Sequence, residues 1–235
     1  MTRLASDVDQ VVAGAAMIGG ISYFYEFAYD LLAENERISA ATFDAAVSAH
    51  RRGRLQKITV LSSSMVFESS TDFPTPEGAA QTSPPPRSTY GFQKLATEYF
   101  ARGANEQYGL PYTIVRPFNC VGIGERRALR DREVMSGNVR LAMESERALN
   151  QDFNLSTARS TTVRELAEII WRKVHGPSVP MRLVSDAPYE YDVQMRVPDV
   201  SKAREVLGFE ATTRLEEVLD EVIPWIRDEI AAERI

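Results

Sequence analysis

Three short apolar runs alternate with longer helical segments in the first half of the chain, and this alternation restricts the fold most strongly. The runs lie within Asp9 to Ala16 (DQVVAGAA), Ile58 to Leu61 (ITVL) and Tyr112 to Pro117 (YTIVRP). The segments between them, Tyr29 to Arg52 and Thr89 to Tyr108, carry apolar residues at helical spacing. Apolar runs without polar alternation are typical of strands buried on both faces of a parallel sheet. The order strand, helix, strand, helix, strand predicts an α/β, doubly wound (Rossmann-like) parallel sheet.

The second half of the chain shows shorter and more mixed signals. Glu165 follows Thr161 and Thr162 at the spacing of a capping box, which predicts the start of a helix there. Pro224 lies in the last amphipathic segment, and we expect a break in or near it. The predicted elements are strands at 153–157 and 181–186, and helices that end at His175 or span Ser201–Leu207 and Leu215–Ile230. We therefore predict a sheet domain at 1–135 and a small α+β lobe at 136–235.

Charge and cysteine content disfavour several classes of protein. The chain has 33 acidic and 27 basic residues and a formal net charge of -6, so its surface does not attract nucleic acid or anionic membranes. Cys120 is the single cysteine, which rules out an intrachain disulfide and predicts a cytoplasmic protein. No apolar run approaches the roughly 20 residues of a membrane-spanning helix. One cysteine and two distant histidines also predict that there is no zinc site.

The stretch Ser88 to Lys94 (STYGFQK) combines a phenol and an amine four residues apart, just after a proline-rich loop at 69–87. Residues at this spacing share one face of a helix. An ammonium group beside a phenol favours the phenolate, so Tyr90 could act as a general base assisted by Lys94. The alternative is a surface pair without a chemical role, because the same spacing occurs by chance in many helices.

Two further motifs follow predicted strands. The stretch 60–67 (VLSSSMVF) places three serines after the second strand, and 116–122 (RPFNCVG) places Asn119 after the third. In open α/β sheets, ligands bind at the carboxyl ends of the strands. We therefore expect the serines, Tyr90 and Asn119 to meet in one crevice.

These motifs resemble those of the extended short-chain dehydrogenase/reductases, specifically the NAD-dependent sugar-nucleotide epimerases and dehydratases. The stretches SSSMVF, YGFQK, RPFNCVG and RVPDVSKAREVLGF occur in the family's order. The resemblance implies NAD as cofactor, a nucleotide sugar as substrate and a transient 4-keto intermediate. It also implies a catalytic set of Ser63, Tyr90 and Lys94, in which Tyr90 is the base and Lys94 holds the nicotinamide ribose.

The resemblance assigns roles to further residues. It implies cofactor contacts at Ala15, Ala16, Asn35, Lys94 and Pro117, and substrate contacts at Gly19, Gly20, Ser64, Asn119 and Arg196. Within that set, Asn119 and Arg196 would lie near the diphosphate. Asn35 could instead face solvent, and Arg196 could be a surface partner of Asp199 or Asp192. The family resemblance further implies a homodimer formed through helices that include the Tyr90 helix.

The sequence departs from the family's pattern at two places. It contains no Gly-x-x-Gly-x-x-Gly turn, which cradles the pyrophosphate in the family. We therefore expect the chain to begin at the family's fourth strand, with an incomplete sheet, one uncovered edge and weak NAD binding. Near 140–144 we expect part of the substrate-binding lobe to be absent.

The sequence is compatible with three functions. The first is an epimerase or dehydratase of a nucleotide-activated sugar. The second is a non-catalytic remnant or partner subunit of the same family. The third is a module that binds a sugar nucleotide through Asn119 and Arg196 without catalysis.

Overall fold

A four-stranded, all-parallel sheet forms the centre of the protein, for which a computed structural model describes residues 7–120, 135–187 and 193–234. The strands lie in sequence order across the sheet. They are β1 (Gln10–Ala13), β2 (Lys57–Leu61), β3 (Tyr112–Pro117) and β4 (Gln151–Leu155). Within the described residues β1 pairs with β2 alone, so that β1 is an edge strand.

Helices connect the strands and cover both faces of the sheet. They are α1 (Ile21–Glu26), α2 (Ala28–Arg51), α3 (Ala79–Thr82), α4 (Thr89–Tyr108), α5 (Met135–Glu144), α6 (Val163–His175) and α7 (Leu215–Ala231). Short 3₁₀ turns lie at Ser64–Phe67 and Glu146–Ala148, and a π-helical turn lies at Ala203–Leu207. None of the helices in the described ranges is both long and apolar enough to cross a membrane.

Two apolar cores lie on opposite faces of the sheet. On one face Phe43 of α2 and Ala101 of α4 pack against Ile58 and Ile114. On the other face a second core is formed by Val115, Ala142, Phe153, Leu155 and Leu207. Burial on both faces confirms the predicted doubly wound α/β fold.

The second half of the chain differs from its sequence-based prediction in several places. The strand predicted at 153–157 is β4, which pairs with β3 and extends the main sheet, although it follows the predicted boundary at 135/136. The strand predicted at 181–186 is wrong, since 181–187 have no regular structure. The helix α7 continues through Pro224 without the expected break. The capping box of Thr162 and Glu165 at the start of α6 is confirmed, whereas the division into two domains stays a prediction.

A buried lysine at the amino end of β2, opposite the carboxyl ends of the strands, anchors helix α5. Lys57 Nζ donates hydrogen bonds to the carbonyl oxygens of Ala142, Met143 and Ser145 at 2.6, 3.0 and 3.3 Å. These carbonyls belong to the end of α5 and the residue that follows it, where helix carbonyls lack intrahelical partners. Burial lowers the pKa of Lys57 to about 8. Lys57 therefore ties α5 to the first residue of β2.

Candidate active site

Three segments lie at the carboxyl ends of the strands, as the parallel topology requires. The serine segment follows β2, Asn119 follows β3, and the loop 14–20 follows β1. Of the three consecutive serines, Ser62 and Ser64 are buried and Ser63 is half-exposed. Ser63 Oγ accepts a hydrogen bond from Met65 N at 3.2 Å and caps the 3₁₀ turn. The structure thus presents Ser63 at the strand edge, whereas the predicted substrate ligand Ser64 lies buried behind it.

Tyr90 and Lys94 lie in the first turns of α4, and local capping fixes where that helix begins. Ser88 Oγ accepts a hydrogen bond from Gly91 N, and the Glu68 carboxylate accepts from the Ser88 hydroxyl. A Cβ atom at Gly91 would lie 2.7 Å from Pro86 Cβ and 2.8 Å from Met65 O. Glycine at this position therefore lets the start of α4 approach the serine segment closely.

The Lys94 side chain reaches the end of β2 and is 6% exposed. Its Nζ donates to Leu61 O at 2.9 Å and lies 5.9 Å from the centroid of the Tyr90 ring. Burial lowers the pKa of Lys94 to about 8. The amine thus reaches the end of β2 from the face of α4 that also carries Tyr90.

The Tyr90 ring stacks on Phe24 of α1, with centroids 4.4 Å apart and an interplanar angle of 8°. Sequence reasoning missed Phe24, although it lies in the aromatic-rich stretch 23–29 (YFYEFAY). Parallel stacking covers one face of the phenol and restricts the ring. The α1 helix therefore helps to hold Tyr90 in place.

The loop after β1 carries Ala15, Ala16, Gly19 and Gly20, and all four are exposed or half-exposed. Asn35 of α2 forms two hydrogen bonds with the backbone of this loop. Met17 N donates to Asn35 Oδ1 at 2.6 Å, and Asn35 Nδ2 donates to Met17 O at 2.9 Å. Asn35 is 1% exposed, so the alternative in which it faces solvent is wrong. Its observed contacts are with the loop backbone, and direct contact with a cofactor stays a prediction.

A cavity of about 250 Å³ adjoins this loop and has Gly14, Ala15, Leu61 and Lys94 in its lining. Ligand cavities in proteins are typically about 300–1,000 Å³, so this one has room for part of a dinucleotide. The Lys94 ammonium has three N–H donors, and the bond to Leu61 O uses one of them. These residues therefore fit the nicotinamide-ribose end of NAD, whereas the sequence has no glycine-rich turn for the pyrophosphate.

Asn119 and Arg196, separated by 77 positions in sequence, are brought together by the fold. Arg196 Nη1 donates to Asn119 Oδ1 at 3.0 Å, and its Nη2 lies 2.7 Å from Met65 Sδ. Asn119 is exposed and Arg196 is half-exposed at the same strand edge as Ser63. Pro117, a predicted cofactor contact, is half-buried at the end of β3. Within the described ranges, no three His, Cys, Asp or Glu residues are grouped so that they could hold a metal ion.

Comparison with known proteins agrees with this arrangement. The sequence matches the NAD dependent epimerase/dehydratase family over residues 1–172 of 235. The chain belongs to this family. Among solved structures it is similar to the UDP-glucose 4-epimerase of Thermotoga maritima, with 25% identity and a TM-score of 0.77. That similarity covers 97% of this chain and 82% of the epimerase.

Two curated relatives from plants are similar over shorter regions. A putative GDP-L-fucose synthase 2 of Oryza sativa subsp. japonica is 32% identical over 114 residues, which is 48% of this chain and 32% of the relative. The UDP-glucuronic acid decarboxylase 3 of Arabidopsis thaliana is 27% identical over 162 residues, or 57% of this chain and 46% of the relative. The chain thus spans a half or less of the length of these relatives.

Proposed function

We propose that the protein is an NAD-dependent epimerase or dehydratase of a nucleotide-activated sugar. The observation that carries this proposal is the buried Lys94 ammonium on the Tyr90 face of α4, at the same strand end as Ser63. Family membership supports the cofactor, because the family is described as NAD-dependent. The similar proteins named above support the substrate class, because their names refer to sugars linked to UDP or GDP.

In the proposed mechanism Tyr90 takes the proton from the sugar 4-hydroxyl as that carbon is oxidised. Ser63 is half-exposed at the same edge and would hydrogen-bond the same hydroxyl. When bound, NAD supplies the hydride acceptance and return that this chemistry requires. Lys94 lies on the same face of the helix, and its N–H groups that are not bonded to Leu61 O would hold the nicotinamide ribose next to Tyr90.

A transient 4-keto sugar then has two fates, and each needs the sugar to be held in place. Return of the hydride to the opposite face of the 4-keto carbon gives the epimer. In the other branch, loss of a proton and a hydroxyl group as water gives an unsaturated ketone, and return of the hydride to its carbon–carbon double bond gives the dehydrated product. We assign the diphosphate of the substrate to Arg196 and Asn119, because a guanidinium group is well shaped to bind phosphate oxygens. Gly19 and Gly20 would line the sugar pocket without crowding it.

Replacement of the phenol tests the proposal. We expect Tyr90→Phe to abolish turnover of UDP- and GDP-linked sugars followed by NMR, while the circular dichroism spectrum is unchanged. Tyr99→Phe is the matched control, since Tyr99 lies on the same helix and is 61% exposed. If Tyr90→Phe turns over these sugars at the wild-type rate, the proposed mechanism is wrong.

We also propose that two copies of the chain associate through the outer faces of α2 and α4. A groove of about 1090 Å³ between these helices has Phe92 and Tyr99 in its lining, and both are exposed. Asp44, Arg51 and Arg52 line the same groove. A second copy related by two-fold symmetry fits this pattern, because it could pair acidic with basic residues across the axis. We expect a dimer by light scattering and a monomer for Tyr99→Glu, and a monomeric wild-type protein would contradict this assignment.

A second candidate function is that of a non-catalytic partner subunit. One feature favours it: β1 pairs with β2 alone among the described residues. Val8 and Val12 are exposed on this edge, which is unusual for a parallel sheet. Binding of NAD separates the two functions, since a subunit without catalytic activity need not bind it.

A further inference from the structure

A buried ionic cluster lies directly behind the candidate active site. Glu98 of α4 and Arg116 of β3 are both 0% exposed. Arg116 Nε and Nη2 donate to the two carboxylate oxygens of Glu98 at 2.7 and 2.8 Å, and Nη2 also donates to Asp152 at 2.7 Å. Removal of ions from water costs several kcal/mol per ion, so such a pair adds little net stability over an apolar pair.

The cluster is bonded to the residue that precedes Ser63. Ser62 Oγ donates to Glu98 Oε1 at 2.6 Å, and Ser62 is 3% exposed. Glu98 lies one helical turn after Lys94, on the same face of α4. Lys94 Nζ donates to Leu61 O at 2.9 Å, so two successive residues at the end of β2 are bonded to two successive turns of α4.

Two members of the cluster, Arg116 and Asp152, have pKa values shifted in the direction that favours their charged forms. Burial by itself would lower the pKa of Arg116, but Glu98 and Asp152 more than offset this and hold it above its usual value. Burial would likewise raise the pKa of Asp152, but Arg116 and Lys202 hold it below its usual range. The hydrogen bond between Ser62 and Glu98 therefore joins an uncharged hydroxyl to a carboxylate that is kept in place by a permanent cation.

We propose that Ser62, Glu98 and Arg116 form a positioning device that sets the distance between Ser63 and the Tyr90–Lys94 face of α4. The proposal rests on the function proposed above, but Ser62 does not contact the substrate in it. The Ser63 hydroxyl is bonded locally to Met65 N, so its neighbour Ser62 provides the side-chain connection to α4. Small errors in such a distance are costly in catalysis, since a misplacement of about 1 Å can reduce the rate about 100-fold.

The variant Ser62→Ala tests this device, because it removes the hydrogen bond and leaves the Glu98–Arg116 ion pair intact. Ser62→Thr keeps the hydroxyl and should restore wild-type behaviour. Thr113→Val is the matched control, since Thr113 is also buried and donates to Ala148 O at 2.7 Å elsewhere in the sheet. Both Ser62→Ala and Thr113→Val lose one buried hydrogen bond, so a loss of stability alone affects both alike.

Two readouts are needed. The first is turnover: we expect Ser62→Ala to reduce kcat about tenfold or more with little change in KM, because binding groups stay in place while the reacting groups do not. The second readout is the rate at which an acylating reagent labels Lys94, which requires neither cofactor nor activity. Mass spectrometry measures this rate, with the labelling of Lys173 in the same sample as the internal reference. We expect faster labelling of Lys94 in Ser62→Ala and unchanged labelling in Thr113→Val and Ser62→Thr.

The outcomes separate the two proposals. If the wild-type protein has no turnover, the proposed function fails, but the labelling of Lys94 still tests the positioning device. Labelling of Lys94 in Ser62→Ala at the wild-type rate would overturn the device. An equal change in Thr113→Val would also overturn it, because the effect would then be one of general stability.

Discussion

The buried amine of Lys94 should make the stability of the protein depend on pH in a defined window. Burial lowers the pKa of Lys94 to about 8 in the folded protein, whereas an unfolded lysine titrates near 10.4. Between these values the unfolded chain binds the proton and the folded protein releases it. The free energy of unfolding must therefore rise as the pH rises from about 8 to about 10.4.

The magnitude follows from the difference between the two pKa values. A difference of one in pKa is worth about 1.4 kcal/mol, so the depressed pKa of Lys94 corresponds to about 3 kcal/mol across the window. Screening by solvent reduces this little, because Lys94 is 6% exposed. Lys57, whose pKa burial also lowers to about 8, should contribute a comparable rise from the other end of β2.

Urea denaturation of wild-type protein, Lys94→Met and Lys57→Met at several pH values from 7 to 10.5 measures this effect. Methionine is unbranched, is one atom shorter than lysine and has no proton to release in this range. Relative to wild type, Lys94→Met should be most stable at pH 7 and should lose about 3 kcal/mol of that advantage by pH 10.5. Lys57→Met is the control, in which a similar change should appear.

One result would refute the reasoning about Lys94. If the stability difference between wild type and Lys94→Met is the same at every pH while Lys57→Met shows the expected change, the amine of Lys94 is not desolvated. The assignment of Lys94 as the buried cation beside Tyr90 would then fail as well.

Two further predictions concern the loop after β1. Gly19→Ala should destabilise the protein by about 1 kcal/mol or more, because the added Cβ would lie 2.5–2.7 Å from the Tyr23 side chain. Gly20→Ala, where the added Cβ meets nothing within 4 Å, should be nearly neutral, and equal urea midpoints for the two variants would contradict this. Asn35→Ala should cost about 1–3 kcal/mol of unfolding free energy, since it leaves two backbone groups of Met17 without their partner. A wild-type urea midpoint for Asn35→Ala would show that the loop is not held by this amide.

The three strands and the two long helices of the first half of the chain could be predicted because their patterns are local. The short helix α1 was not predicted, and α3 lies within the segment 69–87 that was predicted to be a loop. Buried β-branched runs mark β2 and β3, and apolar spacing marks α2 and α4, within a few residues of their observed ends. The place of β4 could not be predicted, because a short apolar run does not reveal which strand it pairs with. Its pairing with β3 depends on contacts between residues more than 35 positions apart.

Candidate site residues could be predicted when they lie in a local sequence motif. Contacts between residues that are distant in sequence could not be predicted. Ser63, Tyr90 and Lys94 lie in recognisable motifs that follow strands. Phe24 stacks on Tyr90 across 66 positions of sequence, and no local pattern marks that contact. Arg116 lies in the motif RPFNCVG, but its ion pair with Glu98 forms only when β3 and α4 pack together.

Equilibrium binding of NAD to the purified protein tests the central claim most directly. We predict saturable binding of one NAD per chain, and weaker binding by Lys94→Met. Absence of saturable binding at millimolar NAD would contradict the proposed enzyme. That result would leave the non-catalytic subunit as the function that fits the fold.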